Sequence, residues 1–231
     1  MIRHRKPKTA AEFVAELNAD PGFVARKGAF DAKRQQESQQ HQLTAQPVLE
    51  ELRQAGFVVE SLDQLRHSGA AYKGAIPVLL RWLPLVPNED VKESIVRALS
   101  VPFAKPVAAR PLIVEFLRAG ESSSGLKWAI GNALEVVADE SVLDDLCELA
   151  LDRRHDIARQ MIVLRLGKSK NPRVVDVLIQ LLDDDQVSGH AVSALGRLRA
   201  QKARPHLERF LTDWRSWVRK KAAKALAKLD K

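Results

Sequence analysis

Through most of the chain, apolar residues recur at i, i+3, i+4 and i+7, the spacing of a helix that buries one face. No stretch keeps the apolar–polar alternation of a strand for long. Helix start signals agree with this. Thr9-x-x-Glu12 and Ser61-x-x-Gln64 read as capping boxes. Asp20-Pro21 and Asn171-Pro172 set an N-cap before a proline in the first turn, and Asn88 precedes two acids suited to a helix N-terminus.

One helix type repeats. Val218, Ala222, Ala225, Leu226 and Leu229 lie at offsets 0, +4, +7, +8 and +11. The same offsets give Val187, Ala191, Ala194, Leu195 and Leu198, and again Leu126, Ile130, Ala133, Leu134 and Val137. A copy from Val91 stops early at Pro102, and a weaker one from Ala158 is broken by Arg165 and Ser169. Between these copies lies a second type, led by proline at Pro77, Pro111 and Pro205 and proline-free around Val142 and Val174. Proline is tolerated there because the first helical turn has spare N–H groups. Neither type can bury its stripe alone, so neighbouring pairs must stack.

The run of Pro-led helix, acidic turn (Asp183-Asp184-Asp185) and Val-Arg-x-x-Ala-x-x-Ala-Leu resembles HEAT-like repeats. It is most similar to the short bacterial type also seen in phycobilin lyases. Trp217 to Leu226 carries the closest match, and the resemblance covers residues 73–231 as about five helical hairpins. It implies an all-α, right-handed α-α superhelix, with Pro-led helices on the convex side and Val-type helices on the concave side. Family members include scaffolds, adaptors and a few enzymes.

Residues 1–72 fall outside the repeat. They predict a helix over 9–18, a second over 21–42 with almost no apolar residue after Asp31, and a third starting at Thr44 and ended by Gly56. This region reads as an N-terminal helical cap with a basic tail. Phe13, Leu17, Phe23, Phe30, Leu49, Leu52 and Phe57 are available to cover the exposed end of the stack. A separate recognition arm is the alternative.

Composition narrows the function. The 231 residues are 45% apolar, enough for a continuous core. Cys147 is the one cysteine, which excludes an intramolecular disulfide framework and a multi-thiolate metal site. The basic start, Met1 to Lys8, has no apolar run behind it, and no stretch is long and apolar enough for a transmembrane span. The expected compartment is a reducing cytoplasm. The six histidines form no His-x-x-x-His or His-Glu-x-x-His pair, so neither a metal nor a cofactor is expected. Cys147 sits among Leu146, Glu148, Asp144 and Asp145, a setting for a buried thiol rather than a nucleophile. Gly120 to Lys127 lacks the order of a phosphate-binding loop and reads as a connection between repeats.

Charge is the stronger signal. The net of +8 is uneven: residues 151–231 hold 19 basic and 9 acidic side chains, residues 1–150 hold 18 and 20. An acidic partner is one reading, and a solvated lysine-rich end cap is the other. At about 100° per residue, offsets +2, +6 and +9 point away from the buried stripe. They mark Trp128, Asn132, Glu135, Ser193, Lys220 and Lys224, with His190 on an exposed face nearby. Offset +1 reads Lys92, Lys127, Arg159, Ser188 and Arg219. That series is either a basic ladder along the concave face or a set of turn-pairing cations. Lys127, with no acid close before it except Glu121, fits the pairing alternative poorly.

The expected function is a non-catalytic scaffold that grips a protein partner, one of acidic character, through Lys127, Trp128, Asn132, Glu135, Arg159, His190, Ser193, Arg219, Lys220 and Lys224. The alternative is nucleic-acid binding, in the manner of HEAT-like glycosylases of alkylated bases. No motif around that family's catalytic acid transfers to this chain.

Overall fold

The computed structural model describes residues 9–69, 71–120 and 122–230, so the basic tail, Glu121 and Lys231 lie outside the described residues. Among them the chain is all-helical: thirteen α-helices and seven short 3-10 turns, with no strand. It divides into two compact units, Met1–Gln46 and Pro47–Lys231. No described helix is long and apolar enough to cross a membrane.

In the first unit, α1 (Ala10–Ala19) opens with the expected capping box: Thr9 Oγ1 accepts from the Glu12 N–H, and the Glu12 carboxylate accepts from the Thr9 N–H. The Asp20 carboxylate accepts from the Gly22 N–H and starts α2 (Pro21–Gln54). Helix α2 runs through Thr44, where the sequence predicts a new start. The Thr44 hydroxyl donates back to the Gln40 carbonyl at 2.9 Å, which keeps it inside a helix instead of capping one. Gly56, at φ +90, ends the run of chain after α2 as expected. Helix α1 buries no residue, and Phe13, Val14, Val24 and Phe30 stand exposed.

The second unit is the repeat array. Helix α3 (Leu62–His67) precedes five hairpins: α4 (Ile76–Trp82) with α5 (Glu89–Leu99), α6 (Ala109–Arg118) with α7 (Ser124–Val137), α8 (Leu143–Leu151) with α9 (Gln160–Leu166), α10 (Val174–Gln180) with α11 (Ser188–Leu198), and α12 (Arg204–Glu208) with α13 (Ser216–Leu229). Helices α3, α5, α7, α9, α11 and α13 stack in order as the inner layer. The Pro-led and proline-free helices α4, α6, α8, α10 and α12 form the outer layer. The repeat stripe is the core: Val91, Ile95, Leu126, Ile130, Leu134, Val187, Leu195, Val218 and Leu229 are all buried. Burying each large apolar side chain stabilises by roughly 1.5–3 kcal/mol. Leu52 is buried too, and the Phe57 ring lies against Gly74, so residues 47–69 close this unit's first repeat. The division at 72/73 drawn from sequence followed the onset of the repeat pattern; compactness places the break at 46/47.

Inner helices meet through small residues. A methyl built on Gly131 would stand 2.6 Å from the Ala158 carbonyl oxygen, one on Gly167 2.7 Å from Ala194 Cα, and one on Gly196 2.5 Å from Ala225 Cβ. Arg165 and Ser169, which break the weak copy, are buried and hydrogen-bonded to the preceding repeat, Arg165 to the Ala138 carbonyl and Ser169 to Glu140.

Candidate functional site: a cationic groove on the inner layer

The offset +1 series resolves into structural cations. Lys92 pairs with buried Glu115. Arg159 is fully buried, 2.9 Å from Asp184, and donates to the Ala150 and Asp156 carbonyls. Buried Ser188 accepts from Arg215, whose carboxylate partner is Asp213. Arg219 donates to the Asp213 and Trp214 carbonyls. Arg159 is thus removed from the expected binding surface, and Arg219 is tied to its own turn. Arg159 and Arg219 satisfy acids or carbonyls of tight turns that would otherwise remain unpaired. Lys127 alone differs: it is 7% exposed, and its one defined neighbour is the Phe116 ring, 5.8 Å from Nζ.

Glu135 is held by Lys168 at 2.5 Å and is not a free acid. Trp128 and Asn132 do come together. Asn132 Nδ2 donates to the Trp128 carbonyl, and both line a small pocket with Arg66, Arg97 and Ser100 where α3, α5 and α7 meet. Arg97 is paired to Glu93 and Arg66 to Asp63.

His190, Ser193 and Lys224 share a larger groove of about 380 Å³ across α9, α11 and α13. Leu164, Gly196 and Ala225 form its apolar part, and Arg197, Trp217, Lys221 and Lys228 complete it. Lys220 is exposed but does not line it. The polar groove residues His190, Ser193 and Arg197 of α11 and Lys221, Lys224 and Lys228 of α13 stand at offsets +3, +6 and +10, where the expected set was +2, +6 and +9. A groove between stacked helices is walled by the flanks of each helix, whereas the expected offsets pick out the crest opposite the core. Arg197, Lys221 and Lys228 were missed for that reason; their spacing along the helix is the signal that finds them.

Local sequence builds the groove. A methyl on Gly189 would stand 2.2 Å from Trp217 Cη2, so only glycine leaves room for the indole. The His190 ring lies 5.4 Å from that indole at 58°. Burial, then Arg215 and Lys221, pushes the His190 pKa below its ordinary value, so the ring is neutral at pH 7. Ser193 Oγ donates to the Gly189 carbonyl.

Charge is segregated by layer. On the outer side, Arg173 pairs with Asp144, Lys202 with Asp176, Arg209 with Asp183 and Arg204 with Asp230. On the inner side no described carboxylate lies within ion-pair distance of Arg197, Lys221, Lys224 or Lys228. Trp214 is 82% exposed, with Arg215 5.5 Å from its ring. Cys147 is buried, and burial with Glu140 and Glu148 raises its pKa, the opposite of an activated thiol.

Residues 111–189, from α6 to the start of α11, match the family model described as HEAT repeats. With the same hairpin geometry on both sides of that span, the array folds as an all-α, HEAT-like repeat solenoid. No curated protein matches it.

Proposed function

We propose that this chain is a non-catalytic scaffold of a reducing, cytoplasmic compartment whose groove between α9, α11 and α13 binds an acidic polypeptide segment. The observation that carries the reading is the set of four cations without a carboxylate partner around a half-exposed tryptophan. Interfaces favour tryptophan and arginine anchors. HEAT repeats serve as protein-interaction scaffolds, which supports a protein partner. The dimensions support it too. Lys221 to Lys228 spans about 10 Å of helix at 1.5 Å per residue. A duplex typically engages about 6–10 phosphates over a longer track.

The test is a fluorescein-labelled peptide with a glutamate-rich core, titrated at low and physiological salt. Binding that quenches Trp217 and weakens at least tenfold in Lys221→Glu/Lys224→Glu is expected. Arg97→Glu, in the other pocket, leaves it unchanged. Equal affinity of wild type and the double variant would sink the reading.

The exposed Trp214, with the Arg215 guanidinium 5.5 Å from its ring, favours a second reading, a single nucleic-acid strand stacked on its indole. Four phosphate contacts would lower log K by about 3 per tenfold rise in salt. A single-stranded oligonucleotide that binds tighter than the peptide with that slope, and loses affinity in Trp214→Ala, would favour it.

A further inference from the structure

We infer that the cavity between the first turn of α7 and the turn before α9 is a binding site for one oxyanion, a carboxylate or phosphate group, held by Lys127 and His155. The site is separate from the groove and does not depend on the function proposed for it.

Comparison between repeats gives the first argument. At the position of Lys127, the other copies place Lys92, Arg159, Ser188 and Arg219, and each is satisfied by a carboxylate, a guanidinium or turn carbonyls. Lys127, 7% exposed, is more buried than Lys92 or Arg219, yet no described carboxylate lies within ion-pair distance. A buried ammonium without a counter-charge is costly. Its side chain lines a cavity of about 310 Å³.

His155 gives the second. Its side chain is 9% exposed and lines the same cavity, and neither ring nitrogen has a hydrogen-bond partner. Asp152, 3.5 Å away, is occupied by Arg154, to which it is bound through both carboxylate oxygens. The ring is fixed edge-on to Phe116 at 4.9 Å. Burial and then Lys127 lower the His155 pKa, so the ring is neutral and offers a single N–H. Two buried donors, one charged, thus face one space, and neither has an acceptor within hydrogen-bond distance among the described residues.

The walls fit an anion. Ser124 adds a hydroxyl, and the first turn of the 14-residue α7 has no side-chain cap, which leaves its amides and the positive end of its dipole on this wall. Asp156, also on the rim, is exposed to solvent that screens its charge; its φ of 41 and ψ of −131 are held while its carbonyl accepts from Arg159. The space exceeds one phosphate, so the anion is carried on a larger ligand or reaches the opening.

The experiment follows the His155 ring signals by NMR in the full chain, assigned with His155→Gln, as inorganic phosphate and, separately, glutarate are added at constant ionic strength and pH 7. A saturable shift at His155 and at the Gly125 and Leu126 amides is expected, weakened at least tenfold in Lys127→Met, kept in Lys127→Arg and unchanged in Lys224→Met. Response to phosphate alone assigns a phosphoryl ligand; response to glutarate alone assigns a carboxylate. Should Lys127→Met fail to fold, loss of the amide shifts in His155→Gln serves as the criterion. A linear, unsaturable drift, or a saturable shift that Lys127→Met leaves intact, overturns the site.

Discussion

Gly189 decides where Trp217 can lie. The sequence marks Gly189 only as a position facing away from the stripe; the indole's place above it comes from a residue 28 positions later, which no local pattern reveals. Gly189→Ala is expected to displace the indole, shift its emission and destabilise by roughly 1–3 kcal/mol, the usual range for overpacking, read as a lower urea midpoint. Arg159 teaches a related lesson. Its spacing is that of a surface ladder, but a turn acid from the next repeat draws it inside. Arg159→Ala leaves buried Asp184 only the longer contact to exposed Arg153, at 3.6 Å, and is expected to cost about 3 kcal/mol in equilibrium unfolding. Lys127, which the sequence singled out for want of an acid, keeps that anomaly in three dimensions.

At the scale of helices, the inner and outer elements were legible because a stripe of period 3.6 fixes both the existence of a helix and the face it buries. Ends were legible where a side chain caps them, as at Thr9, Asp20 and Asn88, and not at Thr44, whose hydroxyl donates back to the Gln40 carbonyl instead of accepting from a first-turn N–H. The groove was shifted by one residue on α11 and α13 because burial patterns locate the core side of a helix, while the flanks depend on where the neighbour sits. Inner-layer packing also sets a pH dependence. His155 and His190 both have folded-state pKa values below the ordinary 6.5. The unfolded chain therefore binds more protons than the folded one as pH falls below about 6.5. Their contribution is present above that pH and is lost on acidification, levelling off below the folded values. The urea midpoint is expected to fall between pH 7.5 and 5, and the fall to shrink in His155→Gln/His190→Gln. The carboxylates held down by arginine, Asp152, Asp183 and Asp213, act only at lower pH.

For the whole molecule, the repeat count and all-α class followed from sequence because each hairpin carries its own stripe. The role of residues 9–46 did not, since they carry no repeat stripe and α1 buries no residue. In the repeat unit, α13 packs its apolar stripe against α11 and leaves Lys220, Lys221 and Lys224 exposed. Removing residues 200–231 strips α11 of its neighbour and is expected to lower the thermal midpoint and cause aggregation on heating, measured by light scattering. The glycine seams carry one more consequence. Two of the atoms that crowd Gly131 and Gly167 belong to backbone, the Ala158 oxygen and the Ala194 Cα, which cannot swing aside as a side chain does. The tilt from one hairpin to the next is therefore set by main chain against main chain, while the leucines between layers supply cohesion. Strength and curvature are written in different residues: thinning the leucines softens the spring without changing its coil, whereas a single added methyl at a seam bends it.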